Sequence, residues 1–431
     1  LARLNDAIAS NLVGDMDIDG GALDVELSDE GVTAKGEIKI KEVPAEIYWQ
    51  RVFYAPAGQQ PPVRVSATLD EALRDKLGIK VNHLVKGPTP LTLSVTGLGQ
   101  ATQSMSMEAD LTNAQLLFGS MGWTKPTGKA AQVSFDVAKH EDGSTDLQNF
   151  KIVGDDIAVD GQISLDADQH LKKFYFSDFS VSPQTHVEIT AEVRDDQVLE
   201  VHAEGPSYDG QQFFRSLFSA GQLVEDGSTE PAQPFGIDFT AKIGRVVGFY
   251  DTTATNVDVM LKKRDGRLIA LDAKGLLNGR EVAAVELQNK NGARILKAEA
   301  HDAGAAFRLV GFYRSIKGGD ASLQVNMDAG GPGTKSGTLW ARDFEVEGDP
   351  VVADVLTDPS AAAVLGEQKQ QMVKSSIVFK RLRAPFSVAP ASSVCATPIS
   401  TVRRSAPPCA ARWTSNRRRS ISAAPTFRST A

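Results

Sequence analysis

Alternation of apolar and polar residues governs most of this chain. "GALDVELS" sets Leu23, Val25 and Leu27 on one face, and "GEIKIKEV" does the same with Ile38 and Ile40. The pattern returns in "QVSFDVAK" (Val133, Phe135), "IAVDGQISL" (Ile157, Val159, Ile163) and "VEITAEV" (Val187, Ile189). After Pro234 it resumes in "FGIDFTAKI" (Ile237, Phe239). A period of two residues means strands with one buried and one wet face, the habit of antiparallel meanders. The connecting "SDEGV", "HEDGS", "KRDGRL" and "QNKNGA" carry Glu-Gly, Asp-Gly or Asn-Gly, the kind of pair that tight hairpins favour. The expected fold is mainly β: a long, curled, groove-like antiparallel sheet with a few short amphipathic helices. Roughly 18 to 20 strands at about 4.8 Å each make a ribbon on the order of 90 Å long. Compact single sheets rarely pass roughly ten strands. Periodicity therefore leaves two architectures open, one long curled sheet or two sandwich-like modules.

Helical spacing interrupts the strands in a few places. "TLDEALRDKLGI" predicts a short helix, and "SYDGQQFFRSLFSAGQL" a second that clusters Phe213, Phe214, Leu217 and Phe218. A polar linker rich in Pro and Gly, "VEDGSTEPAQPFG", follows it and reads as a module boundary. "AAFRLVGFYRS", with Phe307 and Phe312, predicts a third helix just before alternation resumes past "KGG". A longer helical stretch is expected over 349–373, with Asp358 as N-cap and Pro359 at the first helical position. The chain thus divides into a β-meander module (1–205), an aromatic helix and linker (206–234), a second β region (235–388) and an aperiodic tail (389–431). The aromatic helices read as plugs that cover the end of a sheet; the sharper reading has them bordering an apolar groove for a greasy ligand.

Charge and motifs narrow the function. The net charge is −8, and nine Arg but no Asp, Glu or Lys lie from Arg381 onward, so the first 380 residues stand at −17. An acidic body argues against nucleic acid as a partner. No apolar run is long enough for a membrane-spanning helix. The opening "LARLNDAIAS" has neither Met nor a signal-peptide pattern, so a fragment lacking its anchor or export signal is expected. Both cysteines, Cys395 and Cys409, fall in the tail. Its Ala, Arg, Ser and Pro bias suggests a frameshift near Val388, and one nucleotide back "PTFRST" can spell Thr-Tyr-Val-Pro-Leu-Tyr. "DMDIDGGALDVE" places Asp15, Asp17, Asp19 and Glu26 at calcium-loop positions, but strand and turn follow where a second helix is needed. "GGPGTKSG" lacks the Gly before Lys335 that a phosphate loop requires. The six histidines form no helical metal pair, and no Gly-x-Ser-x-Gly elbow exists. Neither enzyme activity nor a cofactor is expected.

"AGAAFRLVGFYRSIKGGDASLQV", "SGTLWARDFEVEGDPVVADVL" and "FKRLRAPFSV" together resemble the C-terminal region of the AsmA-like superfamily of Gram-negative envelope proteins, especially its YhdP-like members. "GPSYDGQQFFRSL" resembles the junction before that region, and the likeness runs from about Pro206 to Val388. The resemblance implies a periplasmic protein held in the inner membrane by an N-terminal helix. It implies a curled sheet whose hydrophobic groove conducts phospholipid toward the outer membrane. The groove candidates are then Leu23, Val25, Leu27, Val133, Phe135, Ile157, Val159, Ile163, Val187, Ile189, Ile237 and Phe239. Phe213, Phe214, Leu217, Phe307 and Phe312 join them from the helices. The alternative is a structural or adhesive β-sandwich with no ligand.

Overall fold

The computed structural model describes residues 1–6, 8–13, 16–56, 59–97, 104–118, 123–219, 236–290, 292–329, 334–349 and 377–388. The helix expected around Asp358 and Pro359 and the tail after 388 lie outside them. The chain is mainly β. Of the two architectures, the single sheet forms: 22 strands join in one open, mixed sheet that is not closed into a barrel. Neighbours in space are mostly neighbours in sequence, as a meander demands. The turns adopt the expected chemistry; Asp265 and Gly266, for instance, are both left-handed (φ 51° and 71°) between Thr253–Arg264 and Arg267–Leu277.

One junction differs from all the others. Strand Val198–Asp209 pairs with Gly236–Val247 in parallel, whereas every other strand pairing described is antiparallel. The connection between them holds the aromatic helix and the Pro/Gly-rich linker. A parallel pair needs a crossover, because the chain must return to the starting end. The strands on both sides of the segment that reads as a boundary between modules belong to one sheet.

Among the described residues three short helices punctuate the sheet: α1 (Glu71–Leu77), α2 (Gln211–Ser219) and α3 (Ala303–Leu309). Asp70 caps α1, accepting from the Leu73 amide at 2.9 Å. Asp302 caps α3 in the same way, accepting from Ala305 N at 2.8 Å. A small three-stranded sheet (Val85–Lys86, Gln115–Phe118, Trp123–Lys125) stands apart from the large one. The helices and the small sheet follow or precede the strand ends Leu69, Thr89, Asp110, Ala131, Asp209 and Ala300. By the pairing register these ends share one long edge of the sheet. Tight hairpins lie on both edges, Lys41–Glu42 on this one and Asp265–Gly266 on the other.

β-bulges interrupt five consecutive pairings between Ala131 and Asp209. Bulges bend strands and increase twist. Val65, Leu93 and Val95 are buried although, among the described residues, only Ile18 and Leu77 join their cluster from outside the large sheet. The rest of the cluster comes from the apolar faces of the sheet's own strands.

Candidate functional site

The sequence predicts inward residues strand by strand; the register shows that they line up. One cross-strand row starts with Leu4, Leu23, Gly36, Ile47 and Val65. It continues through Leu93, Met107 and Phe135. A bulge separates Phe135 from Phe150, yet their rings stack at 5.9 Å, and Gly161, Phe176 and Ile189 come next. Beyond the helical break follow Ala203, Ala241, Val259, Ala273 and Val285. Ala298, Leu323, Leu339 and Ala384 close it. The row crosses every strand of the large sheet except the two-residue Ile316–Lys317, and no polar side chain enters it. About 20 strand spacings of about 4.8 Å give a floor roughly 95 Å long.

Apolar rows flank it on both sides, one position pair away along each strand. One carries Val133, Ile152, Val159, Phe179 and Ile243. The other carries Met105, Leu147, Ile163, Phe174 and Phe239. Rows two residues apart sit about 7 Å from each other, so the face is on the order of 15 Å wide. The outer face is charged instead, as in the row Glu204, Lys242, Asp258, Lys274. Asp238 anchors that face beside the parallel junction: Arg264 donates to it at 2.7 Å, and Arg194 lies 3.5 Å away. The Arg264 hydrogen bond is the main cause that holds the Asp238 carboxyl below its usual range.

The candidate residues distribute as follows. Leu23, Phe135 and Ile189 lie in the central row, and Val25 beside it opposite Ala34. Val133, Val159, Val187 and Ile157 belong to the largest buried cluster or pack on it, with Val159 only 3% exposed. Ile163 and Phe239 line the second flank, and Ile237 is half-buried toward the edge of Asp265–Gly266. Leu27 is 68% exposed, at the end of strand Gly20–Leu27. Phe214 packs on the main cluster, whereas Phe213 turns to the solvent side of α2. The side chain of Leu217 lies outside the described residues.

α3 corrects the expectation for its own aromatics. The face that reaches the trough is Ala305 and Leu309, in one buried cluster with Val246, Ala254 and Leu277. Phe307 packs instead on the neighbouring cluster of Phe344 and Val346. Phe312 follows the left-handed Gly311, meets Phe307 at 5.5 Å in a tilted contact and is 54% exposed. The "KGG" after the helix serves this docking. Gly318 and Gly319 are both left-handed, and their carbonyls accept from the amides of Gly304 and Ala303 at 3.2 and 2.7 Å.

Other chemistry is sparse. Asp17 and Glu26 sit in or beside strands, Asp19 accepts from the Glu42 amide at 3.1 Å, and Asp15 lies outside the described residues. Strand Gly20–Leu27 runs where a calcium-binding helix–loop–helix would need its loop. Lys335 is buried at the start of strand Lys335–Val346, not at a helix N-terminus. Among the described residues no three His, Cys, Asp or Glu side chains converge as a metal site. Sequence reasoning missed α3's small apolar contacts, since alanines carry little pattern signal. No family model, curated protein or solved structure matches the chain. Fold and site together define a class by geometry: an open β-sheet protein with one continuous apolar face and charged rows on the other.

Proposed function

We propose that this chain binds or conducts acyl-chain lipid, phospholipid in the first instance, along the apolar trough, without catalysing a reaction. The observation that carries this is the unbroken apolar row from Leu4 to Ala384, which stays half-buried over Val259, Ala273, Val285 and Ala298. A core that served stability alone would be covered by a second layer. An acyl chain needs apolar surface and no directional partner. Burying half the methylenes of a sixteen-carbon chain contributes about 5–6 kcal/mol at about 0.8 kcal/mol per CH₂. The likeness of residues 206–388 to AsmA-like proteins supports the same reading. It further suggests a periplasmic setting between inner and outer membrane, with attachment to the inner membrane in a longer protein.

Native mass spectrometry of the chain purified from a Gram-negative host tests this. Bound phospholipid is expected, and Ile189→Asp, which sets a carboxylate in the floor where Ile189 is 7% exposed, should release it. A lipid-free mass in the unmodified, folded chain would favour a purely structural β-protein.

A further inference from the structure

The face opposite the apolar row carries a cleft. Strand Val43–Val52 runs on past its last pairing with Val63–Leu69, at Tyr48 and Arg64. The chain returns through Gln60, which accepts from the Val52 amide at 2.9 Å and donates to the carbonyls of Val52 and Ala55 at 2.8 and 2.9 Å. Gln60 thereby seats Pro61 and Pro62, whose fixed φ makes a stiff wall, beside a cleft of about 710 Å³. The charges on its floor are sorted rather than interleaved. One cross-strand row runs Lys35, Tyr48, Arg64, with Tyr48, 40% exposed, between two cations. The next row sets Glu37 directly opposite Glu46. Like charges face to face destabilise a sheet, so stability alone does not call for this order. Asp24, across from Lys35, lies 4.0 Å from Arg3 instead, and among the described residues none of Lys35, Glu37, Glu46 and Arg64 has an ion-pair partner.

We propose that this cleft binds a short peptide by its two charged ends. The carboxylate sits between Lys35 and Arg64, the ammonium between Glu37 and Glu46, and the chain rests against Tyr48 and the prolines. The fit is one of charge and length. Positions two apart along a strand are separated by about 7 Å, and an extended dipeptide spans about 7 Å. Arg64 offers a carboxylate a fork of donors. Each end of the peptide neutralises a pair of like charges that the strands leave uncompensated. The volume falls within the range of about 300–1,000 Å³ that small-molecule sites occupy. The proposal is independent of the lipid reading, because these side chains and the row Leu23, Gly36, Ile47, Val65 lie on opposite faces of the sheet.

Isothermal titration calorimetry of the full-length chain with L-alanyl-L-alanine tests this. Two blocked forms serve as controls: the N-acetyl dipeptide lacks the ammonium, and the dipeptide amide lacks the carboxylate. The free dipeptide is expected to bind about tenfold tighter than either, the effect of one charge-assisted contact. Arg64→Ala and Glu46→Gln should each weaken the free dipeptide by about tenfold as well. Both side chains are exposed, and Lys35→Gln serves in place of Arg64→Ala if that variant does not fold. Absence of binding by the free dipeptide overturns the proposal. So does a blocked form that binds as tightly as the free one, which would leave a site for a single charge. Unchanged affinity in the variants at both ends overturns it too, since the dipeptide would then sit elsewhere.

Discussion

Asp328→Asn should loosen the Asp265–Gly266 edge of the trough in its C-terminal part. Asp328 follows strand Asp320–Asn326 and reaches back across two hairpins. It accepts from the Arg294 amide at 2.9 Å, from Arg294 Nε at 3.0 Å and from Arg294 Nη2 at 2.6 Å. Arg267 adds a fourth donor at 3.1 Å. Arg294 in turn donates to the Leu268 carbonyl at 2.8 Å. The Arg294 and Asp328 side chains are only 10% and 26% exposed. Removing one partner of such a pair costs about 3–5 kcal/mol. The Leu268 contact and the remaining amide oxygen keep the loss near the lower end, about 3 kcal/mol.

A single melting temperature is the wrong readout, because a long sheet whose strands touch mainly their neighbours opens locally. Amide hydrogen exchange of Leu296, Lys297 and Val325 reads the opening directly. About 3 kcal/mol corresponds to exchange on the order of a hundredfold faster. A change of less than about threefold, well below 1 kcal/mol, would refute the reasoning. The effect should also depend on pH. Hydrogen bonds from Arg294 are the main cause that holds the Asp328 carboxyl far below the usual carboxylate range. A carboxyl depressed in the folded state stabilises above its unfolded value, about 3.9, and that stability is lost as pH falls through the folded value. The difference between parent and variant should therefore be full above about pH 4 and shrink in stronger acid.

Two further substitutions follow from packing. A Cβ on Gly161 would lie 2.0 Å from the Tyr175 carbonyl oxygen and 2.8 Å from Phe176 Cα, so Gly161→Val should force the strands apart. A cost of about 1–3 kcal/mol, read as faster amide hydrogen exchange in strands Ala158–Leu165 and Leu171–Ser182, is expected. Leu309→Asp should undock α3 at a cost of about 3–5 kcal/mol, whereas Phe312→Asp, at an exposed position, should cost less than about 1 kcal/mol. Limited proteolysis around Arg308 and Arg314 separates the two, and equal susceptibility would mean that Phe312 supports the helix after all.

Local chemistry alone determined much of this protein. Alternation identified most strands of the large sheet, and Asp-Gly or Asn-Gly pairs located their turns. Helical spacing marked α1 and α3, since that signal acts over a few residues. Apolar faces were legible for the same reason: Ile189 and Val159 look inward by parity with their neighbours. Tertiary structure decided how the faces join. The linker after α2 reads as a boundary, yet the parallel pairing of Val198–Asp209 with Gly236–Val247 carries one sheet across it. Parity also fails wherever a bulge intervenes. In "FYFSDF" strict alternation turns Asp178 inward, and the register shift after Phe176 brings Phe179 inward in its place. Register is a relation between distant segments, set by which pairing buries the most apolar surface, and no single stretch of sequence contains it.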